Sequence, residues 1–231
     1  RYCLILLVSN LVLAQAPKKI IVEHSDFADV NQVEMPDAFL LTGNVRVNHD
    51  GVVMTCNKAY YFQKENYIKA FGNVQMVQGD TLFLNSKYAE YNGNVKKAYA
   101  SGGAVMSSPD ATLETEIINF DRNTQEVYYD TPGTITNKDN TLKSNSGKYY
   151  VNQKKFQFLT SVIITNPTYV IKSNHLDYFS NSGHSYLLGP STITSKANYI
   201  YTEKGFYDTK KNLAHFLNKS YIRYDDRVIK G

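Results

Sequence analysis

Residues 41–45 read LTGNV and residues 70–74 read AFGNV, so the triplet Gly-Asn-Val returns after 29 positions. With this triplet as a template, a small residue, then any residue, then Val or Ile recurs along the chain. The aliphatic members of the seven copies are Val45, Val74, Val105, Ile135, Ile163, Ile193 and Ile222. Their spacing of 28 to 31 residues predicts a repeat architecture, in which units of about 30 residues stack and bury one another's apolar faces.

A second pattern, an octet of eight residues, follows each of the first six triplets. Its first position is a large aliphatic residue or Met, its third is small, its sixth is Ala, Gly, Leu or Ile, and its eighth is Tyr or Phe. The copies begin at Met54, Leu84, Leu113, Leu142, Ile171 and Ile200. Positions one and three differ in parity from positions six and eight, so a strand can bury all four only if it bulges or turns a corner between them. We therefore expect each unit to consist of two or three short strands and no helix.

The composition is typical of strands and tight turns. The chain has 19 Tyr and no Trp, and Asn-Gly, Asp-Gly and Gly-Asn pairs recur at short intervals. Its 231 residues suffice for one elongated domain. The formal net charge is only +4, and the 25 basic residues are scattered among 21 acidic ones, so we expect no nucleic-acid partner.

The first 16 residues, RYCLILLVSNLVLAQA, differ from the rest of the chain. A basic residue precedes an apolar run from Cys3 to Leu13, and residues 14–16 have the small-x-small pattern of a signal-peptidase site. The run is shorter than the about 20 residues that a spanning helix needs. We predict a secretory signal peptide at residues 1–16, with an uncleaved membrane anchor as the alternative. One β-repeat domain should then occupy residues 17–231 and continue beyond the C-terminus.

The polar residues give no pattern typical of an enzyme. The five histidines fall at different places in the repeat, and no two have the spacing of a metal site. Glu114 and Glu116 lie two apart in a pattern typical of a solvent-facing strand, which favours solvated charges over an acid–base pair. Cys56 takes octet position three, where the other copies have Ser or Thr, so we expect its thiol to fill a small slot. We therefore expect no catalytic residue, no metal and no cofactor.

The first units resemble a known family. The resemblance is carried by an Ile-rich strand ending in Ser-Asp at residues 20–26, a Thr-Gly-Asn-Val phrase at residues 41–47, Gly51, and the strand TCNKAYY at residues 55–61. The same order is found in the OstA-like periplasmic proteins of lipopolysaccharide transport, the LptA type. The resemblance covers nearly all of residues 18–231 as repeats and is sharpest from 18 to 100. Asn57 replaces an Asp of the family's Ala-Asp-x-Ala strand, so we interpret the chain as a divergent member.

The resemblance implies an all-β fold: an elongated β-jellyroll, or β-taco, solenoid of stacked repeats, whose V-shaped rungs enclose an apolar groove for the acyl chains of lipid A. It implies a periplasmic location in a Gram-negative bacterium, with association with the inner or outer membrane left open. The implied partners are lipopolysaccharide, other envelope transport proteins with the same β-fold, and further copies of the chain joined head to tail. The implied role is non-enzymatic carriage or bridging of lipopolysaccharide across the periplasm to the outer membrane.

The inward aliphatic residues have two interpretations. They either pack as a closed core or line a groove left open for lipid. The groove candidates are Val45, Val47, Met54, Val74, Met76, Leu84, Val105, Leu113, Ile135, Leu142, Ile163, Ile171, Ile193 and Ile200. Arg46, Lys58, Lys64 and Lys69 are candidates for meeting lipid phosphates at the rim, with ordinary surface cations as the alternative.

Two other functions stay open at this point. The chain could be the N-terminal periplasmic domain of a larger outer-membrane lipopolysaccharide-assembly barrel protein. It could instead be a β-solenoid that binds or cleaves polysaccharide. In that case carboxylates and aromatic residues should cluster on one external face.

Overall fold

In the computed structural model, the chain is described over residues 18–30, 35–208, 211, 213–224 and 226–231. The strands are β1 (Ile21–His24), β2 (Phe27–Val30), β3 (Phe39–His49), β4 (Val52–Phe62), β5 (Tyr67–Gln78), β6 (Leu82–Asn92), β7 (Lys97–Ser107), β8 (Thr112–Asp121), β9 (Glu126–Tyr129), β10 (Gly133–Thr136), β11 (Thr141–Ser144), β12 (Ser146–Tyr150), β13 (Lys155–Thr165), β14 (Tyr169–Phe179), β15 (His184–Ser195), β16 (Asn198–Asp208), β17 (Leu213–Leu217), β18 (Tyr221–Tyr224) and β19 (Arg227–Lys230). The predicted all-β class is confirmed. The predicted signal peptide, residues 1–16, lies outside the described residues. Among the described residues, no helix has the length and apolar character needed to cross a membrane.

Consecutive strands pair as antiparallel hairpins. Strands β3 to β8 form an unbroken series, and so do β13 to β16. Between the two series, β9 and β10 together take the place of one long strand because both pair with β8. Strands β11 and β12 do the same beside β13. One repeat is thus one hairpin of two long strands, which confirms the predicted stack of units of about 30 residues.

Each long strand bends near its middle, at a place that we call the corner. In β3 the register shifts between Thr42 and Val45, so that two residues of β3 oppose Asn57 of β4. The two residues, Gly43 and Asn44, have positive φ angles of 75° and 45°. Such angles favour Gly and are tolerated by Asn. The Gly-Asn of the repeated triplet is therefore a backbone requirement of the corner.

Crowding adds a second reason for glycine. Gly72, the counterpart of Gly43 in β5, has a φ of 70°. A Cβ atom built on it would lie 2.9 Å from Nδ2 of Asn57 on the neighbouring strand. A larger residue at this position would have to displace the side chain of Asn57.

The corner also accounts for the octet. Met54, Cys56, Ala59 and Tyr61, at positions one, three, six and eight of the first copy, are all buried. The next three copies bury the same four positions. The predicted change of parity within the octet is therefore confirmed.

Octet position three has a specific task at the corner. The hydroxyl of Ser86 donates to the carbonyl oxygen two residues later at 2.9 Å, and Ser173 does the same at 3.0 Å. Cys56 and Thr202 make the equivalent contact at 3.3 and 2.7 Å. Because the bulge disturbs the regular ladder there, a small side chain with a donor stabilises the bend.

The corner divides the sheet into two arms whose inner faces oppose each other. Met54 and Leu84 of the first arm and Ile68 and Ile118 of the second arm belong to one buried cluster. The hairpin turns form two rows at the free ends of the arms, which we call the lips. The fully described turns of the first lip are residues 50–51, 79–81, 108–111, 137–140, 166–168 and 196–197. The described turns of the second lip are residues 63–66, 93–96, 122–125, 151–154 and 180–183.

Candidate functional site

Hydrogen bonds join the two lips in the N-terminal half of the molecule. Their centre is Arg122 on the second lip, whose guanidinium donates to the carbonyl oxygens of His49 and Asp50 at 3.2 and 3.1 Å. It also donates to Oε1 of Gln78 at 3.2 Å, and Gln78 in turn donates to Oε1 of Gln125 at 2.9 Å. We call this set of contacts the seam. Because it links the free ends of both arms, the seam closes the opening between them.

A buried hydrogen-bond chain continues from the seam. Arg122 donates to the hydroxyl of Tyr91 at 2.8 Å, and that hydroxyl lies 2.7 Å from Nδ1 of His49. Nε2 of His49 is 2.9 Å from the carbonyl oxygen of Lys18, which can only accept. Nε2 therefore carries a proton, and in the neutral imidazole Nδ1 is the acceptor that faces the Tyr91 hydroxyl. Burial lowers the pKa of His49, although the bond to Lys18 acts in the opposite direction.

The chain entering β1 closes the same opening from its N-terminal side. The backbone N–H of Ile20 donates to Oδ1 of Asn66 at 2.7 Å, and the hydroxyl of Tyr61 donates to the carbonyl oxygen of Ile20 at 2.9 Å. Asn66 belongs to the second lip and is fully buried. The segment thus ties the lip to the interior side chains.

Behind the seam the interior is packed. A cavity between the arms there measures about 10 Å³, and its lining includes Met76, Leu84 and Ile118. This volume is at the lower limit for a single water molecule. We call β1 to β9 the closed half, because its apolar faces are packed against each other.

The C-terminal half has a much larger cavity between the arms, of about 490 Å³. Its apolar lining includes Ile135, Leu142, Phe156, Phe158, Ile164, Ile171 and Leu176. Asn137, Asn140 and Asn166 form its mouth on the first lip, beside the exposed Lys138. We call β10 to β19 the open half. Its cavity has an apolar floor, a polar mouth and the size of an ordinary ligand pocket, about 300–1,000 Å³.

The rings of Phe156 and Tyr178 form part of the wall of this cavity, and Tyr149 stacks on Phe156 without lining the cavity itself. The rings of Tyr149 and Phe156 stack with centroids 4.2 Å apart, and those of Phe156 and Tyr178 with centroids 6.4 Å apart. The three residues lie on the adjacent strands β12, β13 and β14. A stack across three strands fixes the ring positions, so the wall is preformed.

The lips are organised differently around the two halves. At the mouth, Nδ2 of Asn166 donates to the carbonyl oxygen of Asp139 at 3.3 Å and to Oδ1 of Asn140 at 3.1 Å. These bonds run along the first lip, whereas the seam crosses from one lip to the other. One bond also crosses between the lips beside the large cavity: the hydroxyl of Ser180 donates at 3.2 Å to Oδ2 of Asp110, which lines the cavity.

The structure separates the predicted groove residues into groups. Ile135, Leu142 and Ile171 line the cavity of the open half. The following are packed in the core of the closed half: Val45, Val47, Met54, Val74, Met76, Leu84 and Leu113. Ile193 and Ile200 are half-buried further along the open half. Contact of any of these side chains with lipid stays a prediction.

Val105 and Ile163 were expected to face the interior, but in the structure they do not. Val105 is half-buried on the outer face, and Ile163 is 37% exposed, whereas Ala104 and Val162 beside them are fully buried. Ala104 and Val162 are also the residues that pair with octet position three of the following strand. The expectation failed because the triplet was aligned on its aliphatic residue, one position too late in these two units.

The predicted rim cations lie in the closed half, away from the mouth of the cavity. Arg46 and Lys64 form exposed ion pairs with acidic neighbours at 2.8 and 3.4 Å. Lys58 and Lys69 lie 4.8 and 6.0 Å from the centroids of tyrosine rings. The cation at the mouth is Lys138, which the sequence analysis did not single out.

Sequence reasoning also missed the residues that shape the cavity. Leu176 and Tyr178 occupy octet positions six and eight, so the octet already contained the signal that they face inward. Phe156 and Phe158 precede their corner at the spacing of Ile68 and Ala70 in β5, which are buried. A search by spacing, without the restriction to aliphatic residues, would have found all four.

Two further predictions concerned the thiol of Cys56 and the carboxylates of Glu114 and Glu116. Cys56 is buried, and burial raises the pKa of its thiol to about 11, although bonds with Phe71 and Lys58 act the other way. A protonated, buried thiol is a poor nucleophile and fits the predicted small slot. Glu114 and Glu116 are exposed, as predicted for solvated charges.

Comparisons with known proteins place the chain in a family. The chain is similar to the solved structure of LptH from Pseudomonas aeruginosa, described as the LptA-homologous periplasmic component of the conserved lipopolysaccharide transport device. The identity is 14% and the TM-score 0.40, over 43% of this chain and 76% of LptH. No curated protein matches the sequence significantly. The model of the OstA-like protein family matches residues 17–174, more than half of the chain, and the chain therefore belongs to the OstA-like family.

Proposed function

We propose that this chain is a non-enzymatic periplasmic protein that binds lipopolysaccharide and carries it toward the outer membrane, with acyl chains held in the cavity of the open half. The observation that carries the proposal is the cavity of about 490 Å³ with its apolar floor. Membership of the OstA-like family supports the same location and cargo.

The chemistry of the cavity suits an amphipathic ligand. Phe156, Phe158 and Ile171 offer apolar surface, and each methylene buried against it contributes about 0.8 kcal/mol. Asparagine amides and Lys138 at the mouth offer hydrogen bonds and a positive charge to a polar head group. A ligand would therefore enter with its acyl chain inward and its head group at the first lip.

The size of the cavity restricts how the ligand is held. A volume of about 490 Å³ is ordinary for a small ligand, whereas lipid A carries several acyl chains. With a cavity of this size, the open half would hold only part of such a lipid. Binding of the remaining chains would require the lips of the open half to separate further.

The ends of the sheet suit a bridging role. Strands β1 and β2 both pair with β3, and Ile21 and Phe27 on them are 62% and 69% exposed. At the other end, Ile229 of β19 is 66% exposed. Exposed edge strands are templates for β-augmentation, so they support joining to further copies or to other envelope proteins of the same fold.

A photo-crosslinking amino acid tests lipid binding in cells. Placed at Leu142, which lines the cavity, it should give lipopolysaccharide adducts. The matched control is the next residue, Lys143, which is exposed on the outer face of the same strand. Labelling at Leu142 no stronger than at Lys143 would contradict the proposal.

The bridging role needs a separate test. Phe27→Lys and Ile229→Lys each place a charge on one edge, where it should prevent strand pairing. Light scattering should show association that grows with protein concentration in the parent chain and is lost in both variants. Lys87→Glu, on the outer face away from both edges, is the control. Monomeric behaviour of the parent chain at all concentrations would argue against end-to-end joining of copies.

A further inference from the structure

The outer face of the second arm has a slot that the lipid proposal does not use. The slot has a volume of about 210 Å³, and its lining includes Tyr67, Glu90, Tyr99, Asn119 and Tyr128. These side chains come from the consecutive strands β5 to β9 and point away from the interior. The slot therefore belongs to the solvent side of the closed half.

The strand register places four of these residues in one row across the sheet. Glu90 pairs with Tyr99, Tyr99 with Asn119, and Asn119 with Tyr128. Neighbouring strands are about 4.8 Å apart, so the backbones carrying Tyr99 and Tyr128 are about 10 Å apart with Asn119 between them. The row thus presents two aromatic rings flanking an amide, and Tyr128 is 40% exposed.

Neighbouring contacts hold this row in place. The hydroxyls of Tyr67 and Tyr88 both donate to the carboxylate of Glu90. The ring of Tyr88 packs edge-on against that of Tyr99, with centroids 6.4 Å apart. Burial, together with the bonds to Glu90, raises the pKa values of Tyr67 and Tyr88, so both stay protonated donors. The part of the row formed by Glu90 and Tyr99 is therefore preorganised.

The charges around the slot are balanced. Asp121 is neutralised by Lys97, whose Nζ lies 3.2 Å from Oδ2. The carboxylate of Glu90 accepts the two tyrosine hydroxyls and lies opposite Lys69 in the neighbouring strand. A cation would find no unpaired carboxylate here, and an anion would meet Glu90. The balance favours a neutral ligand with polar edges.

We propose that this slot binds a pyranose ring of a neutral oligosaccharide. A pyranose has one apolar face of C–H groups, which stacks on an aromatic ring, and an equator of hydroxyl groups, which hydrogen-bond to amides and carboxylates. Tyr128 and Tyr99 supply the ring surfaces. Asn119 and the carboxylates of Glu90 and Asp121 supply the polar contacts. The slot thus combines aromatic and carboxylate groups on one external face, the arrangement that the sequence analysis set as the mark of polysaccharide binding.

The test uses acyl-free probes: cellohexaose, chitohexaose and maltohexaose. Saturation-transfer NMR, with irradiation of the aromatic protons of the full chain, should show transfer to the pyranose C–H protons of at least one of them. Tyr128→Ala should raise the Kd of that sugar by about tenfold or more, whereas Tyr128→Phe, which keeps the ring, should change it little. Tyr224→Ala, at another exposed tyrosine, is the control.

Several outcomes would overturn the proposal. The first is no saturation transfer to any of the three sugars from a chain that unfolds cooperatively. The second is an unchanged sugar Kd in Tyr128→Ala. The third is an equal loss of sugar affinity in Tyr128→Phe and Tyr128→Ala. Binding of choline that depends on Tyr128, without sugar binding, would identify a cation site instead. If Tyr128→Ala fails to fold, Asn119→Ala takes its place with the same expectation. Because the probes carry no acyl chain, the result is independent of lipid binding in the open half.

Discussion

The closed half and the open half are built from the same repeat, yet the cavities between their arms measure about 10 and about 490 Å³. The two halves differ in side-chain size at one pair of equivalent positions. Ala98 and Ala100 of β7 occupy the places that Phe156 and Phe158 occupy in β13, two units later. All four are buried. The alanines take up less space between the arms than the phenylalanine rings, which line the large cavity.

Different features of the molecule set the length of the repeat, called the period, and the width of the space between the arms, called the gap. The period comes from the backbone of the corner, where positive φ angles and a small octet position three recur in both halves. The gap comes from the inner side chains of the second arm and from the seam around Arg122. Two halves with one backbone plan can therefore differ in whether they hold a ligand.

Matched truncations should show the largest difference between the halves. Ile68→Ala in the closed half should lower the free energy of unfolding by about 4 kcal/mol, and Ile171→Ala at the cavity by about 2 kcal/mol. Ile171 already borders empty space and so has fewer packing contacts to lose. Urea unfolding of both variants measures the two losses. Equal losses would mean that the open half is packed as tightly as the closed half.

Removal of the seam should loosen the closed half. Arg122→Ala removes the hydrogen bonds of the guanidinium with His49, Asp50, Gln78 and Tyr91 and should cost about 2–3 kcal/mol. Hydrogen exchange should become faster in β3 to β6, while β13 to β16 keep their rates. Arg46→Ala, which removes an exposed ion pair, should cost less than about 0.5 kcal/mol. Uniform acceleration in all strands would show that the seam acts on global stability alone.

Acid should weaken the seam through His49. Because burial lowers the pKa of His49 below its unfolded value near 6.5, its stabilising effect is complete above pH 6.5 and is lost as the pH falls toward the folded pKa. The slope of stability against pH in this window is at most about 1.4 kcal/mol per unit. His49→Gln should remove that slope in urea titrations at pH 5 to 7.5.

Asp50 titrates in a different range. Hydrogen bonds from Lys18 and Lys96 lower its pKa from 3.8 to about 2, so its effect is lost only below about pH 4. If the slope of stability against pH between pH 5 and 6.5 is unchanged in His49→Gln, His49 is not the source of that slope. Asp50 could not be its source either, because Asp50 titrates below this range.

The smallest effect is expected at Cys56. Cys56→Ser should change stability by less than about 1 kcal/mol, because five other units have Ser or Thr in that place. In the parent chain, alkylation by iodoacetamide at pH 8 should be slow, since the thiol is buried and its pKa is about 11. Arg122→Ala should accelerate the reaction. A fast reaction in the parent chain would mean that the closed half opens readily.

The sequence was sufficient for the fold but not for the gap between the arms. The triplet at Gly43 and the six octets predicted the repeat and the bent strand, because both reflect backbone geometry that few residue types allow. Alignment on Val or Ile failed at Val105 because the corner position itself tolerates any small residue. The residues that pair with octet position three are Val45, Val74, Ala104, Gly133, Val162 and Ser191, which are 29 or 30 positions apart.

The site was only partly predictable for a related reason. An apolar inner face fits a closed core and an open groove equally well, since both bury aliphatic side chains. The seam depends on contacts between residues as distant as His49 and Arg122, 73 positions apart, which no local pattern reports. In the sequence, only Phe156 and Phe158 indicated a different interior in the open half. Their large size is informative only in comparison with the alanines at the equivalent positions of β7.

The most direct test of the difference between the halves is the contact of an apolar ligand with each of them. In methyl-labelled protein, a fatty acid with a spin label on its acyl chain should broaden the methyl signals of Ile171 and Leu142, which line the large cavity. The signals of Ile118 and Leu84, behind the seam, should stay sharp. Equal broadening at all four residues, or broadening confined to Ile118 and Leu84, would contradict the division into a closed and an open half.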